Sequence, residues 1–88
     1  MNPGIINQVV ETLSELFADD YVPQNVRARA QEVSSLLKNE NEPIESRKNK
    51  ALQHLEDMSV DTNIDMSTRT FIYRALSMVE SLSGSGQK

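Results

Sequence analysis

The stretch Asp19-Asp20-Tyr21-Val22-Pro23-Gln24-Asn25-Val26-Arg27 returns, in altered form, as Asp61-Thr62-Asn63-Ile64-Asp65-Met66-Ser67-Thr68-Arg69. Displaced by 42 positions, the two halves of the chain align without a gap. Val10 then falls on Leu52, Leu13 on Leu55, Leu16 on Met58, Val33 on Ala75, Leu36 on Met78 and Leu37 on Val79. In both halves an aspartate is followed three residues later by a β-branched residue and eight residues later by an arginine. One helical hairpin cannot bury its apolar face alone, whereas two stacked together can. The repeat therefore predicts an all-α chain, a four-helix antiparallel bundle built from two tandem hairpins.

Working outward from that stretch, four segments carry the three-and-four spacing of an apolar helix face. The first stripe is Ile5, Ile6, Val9, Val10, Leu13, Leu16 and Phe17, and the second is Val26, Ala30, Val33, Leu36 and Leu37. The third is Ile44, Ala51, Leu52, Leu55 and Met58, and the fourth is Phe71, Ile72, Ala75, Leu76, Val79 and Leu82. Pro23 and Pro43 each open a helix, because proline at a first helical position gives up no internal hydrogen bond. The helices are expected over about 3–18, 23–38, 43–59 and 66–83. The core is expected to hold Val10, Leu13, Leu16, Val33, Leu36, Leu52, Leu55, Ile72, Leu76 and Val79. Residues 1–83 read as one domain, and 84–88, apolar nowhere, as a flexible tail.

Bulk properties narrow the function. The 88 residues carry nine basic and thirteen acidic side chains, a formal net charge of −4. That balance disfavours nucleic acid and anionic lipid as main partners, since both reward positive charge. There is no cysteine, so no disulfide or thiolate chemistry is available; this fits a reducing cytoplasm. The N-terminal stretch lacks a basic region followed by a long apolar run, so it does not read as a signal peptide, and no membrane span is expected.

The halves ADDYVPQNVRARA (18–30) and VDTNIDMSTRTFIYRALS (60–77) resemble the uncharacterised archaeal protein family numbered 0147. The resemblance runs from about Ile5 to Leu82 and is most specific at Val-Pro-x-x-Val-Arg ending at Arg27 and at Thr68-Arg69-Thr70. The family pattern has proline where this chain has Asp65. The resemblance implies a four-helix fold and an archaeal cytoplasmic source, and implies no activity. The turn-and-arginine pattern is also weakly similar to a HEAT-repeat hairpin.

The chemistry is sparse. Asp61-Thr62-Asn63-Ile64-Asp65 imitates the opening of a calcium-binding EF-hand loop, but Met66 stands where that loop needs glycine and Ile72 where it needs glutamate. His54 is the single histidine, and it has no partner constellation that would make it a general base. No glycine-rich phosphate loop, nucleophile elbow or zinc pattern occurs. No cofactor, metal or catalytic residue is therefore assigned, and the chain reads as a non-enzyme. Because Asp19/Arg27 and Asp61/Arg69 recur at matching positions, they read as two structural ion pairs that tie each turn to its helix or bond nearby carbonyls. Arg29, Arg47, Lys48 and Lys50 form a candidate partner surface if they share a face. Two readings follow: a non-catalytic helical interaction module or homo-oligomer, and, as alternative, an accessory factor associated with RNA or a ribonucleoprotein. The alternative lacks the aromatic interleaving that base stacking needs.

Overall fold

The computed structural model describes residues 3–82, and the expected tail lies outside them. It contains α1 (Pro3–Phe17), α2 (Gln24–Lys38), α3 (Ile44–Ser59) and α4 (Met66–Glu80), with no strand among the described residues. The connections are five or six residues long, which makes sequential helices antiparallel neighbours. α1 packs on α2 and α4, and α3 packs on the same two helices, closing a ring. The α1–α2 and α3–α4 turns consequently share one end of the molecule, here called the turn end. The α2–α3 turn and the start of α1 lie at the other end with Leu82.

The helix boundaries differ from expectation in two instructive ways. Pro23 and Pro43 precede their helices as N-caps, with extended ψ angles of 145° and 146°. Their carbonyls already accept the first helical bonds, from Arg27 N to Pro23 O and from Arg47 N to Pro43 O, both at 3.0 Å. Asp65 fills the same position before α4, and its Oδ1 accepts a 2.8 Å bond from Thr68 N. The aspartate thus satisfies an orphan N–H that a proline cap leaves to other groups. At the far end, α4 stops at Glu80 rather than at 83. Leu82 N bonds Val79 O at 3.0 Å, a tightened last turn that carries the Leu82 side chain into the core.

Six of the ten expected core residues are buried: Leu13, Leu16, Val33, Leu55, Ile72 and Val79. Val10, Leu36, Leu52 and Leu76 are only half-buried and flank the core. In each case the adjacent residue (Val9, Leu37, Ala51 or Ala75) is the fully buried one. Two of these neighbours are alanines, and Ala30 is likewise fully buried. Where two helix axes run close, only a small side chain fits the seam, and the larger neighbour is pushed to its edge. Burial also repeats at the 42-residue displacement: Val9 and Ala51, Leu13 and Leu55, Leu16 and Met58, Ala30 and Ile72, and Val33 and Ala75 are buried in matching pairs. Three of the pairs differ in side-chain size: Val9 with Ala51, Ala30 with Ile72 and Val33 with Ala75.

Candidate functional site

All three connections are built on one pattern. Asp19 Oδ1 accepts from Tyr21 N at 2.9 Å, Asn39 Oδ1 from Asn41 N at 3.1 Å, and Asp61 Oδ1 from Asn63 N at 2.8 Å. Each is a side chain that closes a turn on its own backbone two residues ahead. Four residues after it comes the N-cap, and eight residues after it an arginine: Arg27, Arg47 and Arg69. Arg27 Nε donates to Val22 O at 3.0 Å. Arg47 Nε donates to Glu42 O and its Nη1 to Leu37 O, both at 2.8 Å. Arg69 Nη2 donates to Asp61 O at 2.8 Å. The planar guanidinium suits this work, because one side chain can serve acceptors in two directions.

The expected ion pairs therefore take a different form. Neither Arg27 nor Arg69 pairs with the carboxylate eight residues before it. Both arginines bond backbone carbonyls, and the aspartates close turns. The one ion pair of Arg27 is with Asp20, at 3.7 Å and with the Asp20 side chain 97% exposed. Asn39 makes the same turn without a charge.

The candidate partner surface is likewise not assembled. Arg47 is buried, 4% exposed, with its guanidinium holding the α2–α3 turn. Lys48 Nζ donates to Leu82 O at 2.9 Å and joins the start of α3 to the segment just after α4. Lys50 pairs with Glu42, which also accepts from Ser46 Oγ. These contacts hold the Glu42 carboxyl below its ordinary range, chiefly through the Lys50 and then the Ser46 hydrogen bond. Arg29 lies away from the other three, near the turn end, and forms a 3.6 Å pair with Asp57.

Sequence reasoning passed over the turn end itself. Four large apolar side chains stand out as exposed among the described residues: Tyr21 at 96%, Met66 at 77%, Val60 at 75% and Tyr73 at 53%. The first three share the turn end. Asn25 Nδ2, in the first turn of α2, donates to Asp61 Oδ2 of the α3–α4 connection at 3.2 Å. Residues 15–29 and 56–69, which build this end, carry seven carboxylates and three guanidinium groups. The difference equals the whole −4 of the chain, and the other six acids and six bases cancel. Beside it, Asn25, Val26, Arg29, Asp57, Met58 and Asp61 line a cleft of about 240 Å³ between α2 and α3. That is below the roughly 300–1,000 Å³ usual for small-molecule sites. Among the described residues no cluster of three or more acidic or histidine side chains could hold a metal ion, and no helix is long and apolar enough to cross a membrane.

These features define a small all-α protein of four helices with arginine-braced turns. The chain belongs to the uncharacterised protein family UPF0147, which matches residues 1–82. A family protein of Thermoplasma acidophilum is 36% identical over 85 residues, covering 97% of both chains. One of Methanosarcina mazei is 35% identical over 78 residues, covering 89% of this chain and 84% of its own. The crystal structure of a family protein from Thermoplasma acidophilum superposes with a TM-score of 0.88 at 36% identity, covering 93% of this chain and 96% of its own. A second solved structure, of a protein of unknown function, gives 0.88 at 31% identity and covers 94% of each chain.

Proposed function

We propose that the protein is a non-catalytic helical interaction module that engages another protein through its turn end. The observation that carries this reading is the exposure of Tyr21, Val60 and Met66 together at one end. Single exposed apolar residues are ordinary, whereas several gathered on one surface mark interaction sites. Aromatic and methionine side chains are also enriched in protein interfaces. The accessory RNA reading draws no such support, because Arg29, Arg47, Lys48 and Lys50 are each engaged within the chain and Arg29 lies apart from the other three. The proposal sets the module in the cytoplasm, which suits a chain without cysteine.

The test is site-specific photocrosslinking in an extract of the source organism. A photoreactive residue is placed at position 21, and in a control at position 32, which is exposed on α2. The expected result is one discrete protein adduct from position 21, resistant to nuclease and lost on Met66→Ser. Equal adducts from both positions, or adducts that vanish with nuclease, would overturn the reading.

A further inference from the structure

We infer that the turn end docks a basic polypeptide segment with apolar anchors, an inference that rests on the interaction reading above. Tyr21, Val60 and Met66 supply the apolar contact. What surrounds them fixes the partner's charge. The guanidinium groups at this end have partners within the chain: Arg27 and Arg69 donate to backbone carbonyls, and Arg29 pairs with Asp57. The carboxylates are in excess, so the field outside this end is negative. Opposite potentials steer association and suppress wrong partners. A second copy of the chain would bring a like-charged end against this one, and nucleic acid or anionic lipid would be repelled. A cationic segment is favoured on both counts.

The cleft between α2 and α3 refines the fit. Asp57 and Asp61 place carboxylates on its lining, above the buried Val26 and Met58. A basic head group matches these carboxylates in charge. Arg29 is a loose competitor for this place. Its pair with Asp57 is 3.6 Å long, with the two side chains 40% and 48% exposed. An arginine or lysine of the partner can enter here while neighbouring apolar residues cover Met66 and Tyr21.

The experiment uses the full chain and two synthetic peptides of equal length, one alternating arginine with leucine and one alternating glutamate with leucine. Binding is measured by titration calorimetry and mapped by amide chemical shifts. The arginine peptide is expected to bind and to shift residues of the two turns and the cleft, and the glutamate peptide is not. Affinity is expected to fall about tenfold or more in Asp57→Asn/Asp61→Asn and in Tyr21→Ser/Met66→Ser. In the charge-matched control Glu11→Gln/Glu32→Gln it is expected to stay within about twofold. Circular dichroism melts confirm that each variant is folded before it is scored. Equal losses in the acidic pair and its control, shifts spread over the whole surface, or binding of both peptides would overturn the inference. If the arginine peptide fails while position 21 still crosslinks a native protein, the basic-partner inference falls and the interaction reading stands.

Discussion

Arg47 reaches back ten residues to donate from Nη1 to Leu37 O at 2.8 Å. Leu37 O is among the last carbonyls of α2, which have no acceptor role within their own helix. One side chain near the start of α3 therefore satisfies the end of α2 and, through Nε, the turn between them. Removing it leaves buried acceptors unpaired. Arg47→Ala is expected to cost about 2–4 kcal/mol, since hydrogen bonds to charged donors are the stronger kind and orphaned acceptors add their desolvation. Arg47→Lys should recover only part, because an ammonium lacks the two-direction fork. Urea denaturation measures both; a cost below about 0.5 kcal/mol for Arg47→Ala would show that the turn holds without it.

The turn carboxylates should behave as hydrogen-bond acceptors and not as charges. Asp19→Asn and Asp61→Asn are expected to change stability by less than about 0.5 kcal/mol, with Asp19→Ala and Asp61→Ala costing about 0.5–1.5 kcal/mol each. Asn39 already performs the same role in the middle turn. Chemical melts of the four variants decide it: an asparagine as damaging as an alanine would restore the importance of the charge.

Acid should weaken the fold through two identified groups. Asp65 is held below its ordinary value of 3.8, chiefly by the Thr68 backbone hydrogen bond. Glu42 is held below 4.5, chiefly by the Lys50 hydrogen bond. Each carboxyl binds its proton more readily in the unfolded chain. Their contributions are fully present above those unfolded values and are lost as pH falls through the lower folded ones. Stability is therefore expected to drop below about pH 4.5, with a shallower slope in Asp65→Asn/Glu42→Gln. Thermal melts between neutral pH and strong acid test this, and an unchanged slope in the double variant would assign the loss to other groups.

Burial separates neighbours that the sequence pattern treats alike. Leu37 is fully buried and Leu36 only half so. Leu37→Ala should cost about 2–5 kcal/mol and clearly more than Leu36→Ala. Leu13→Ala and Leu55→Ala, both at fully buried positions, belong with Leu37. Denaturant midpoints rank the four variants; Leu36→Ala matching Leu37→Ala would mean that the seam runs between them.

The four helices were legible because their apolar spacing is regular and their turns contain proline or aspartate. Each of the ten expected core residues was buried or adjacent to a buried one, but the buried turn residues Val22 and Ile64 lay outside the apolar stripes. Periodicity alone prefers the larger of two adjacent apolar side chains, and so selected Leu52 and Leu76 over Ala51 and Ala75. The arginine device was half legible. Successive turn arginines are 20 and then 22 residues apart, so a displacement of 42 superposes the first turn on the third and leaves the middle one without a counterpart. Arg47 then read as a surface cation, although Asn39 precedes it by the same eight residues. The turn-end surface was passed over, since Tyr21 lies 39 residues before Val60 and 45 before Met66, and only the packing of the helices brings the two connections to one end.

That ring also sets the two poles of the molecule. The start of α1 and the end of α4 fall opposite the turn end, and Lys48 ties Leu82 to the start of α3 on that far side. Pro3 and Leu82, where the described chain starts and stops, therefore mark the base of the molecule, and Tyr21 and Met66 lie at its opposite pole.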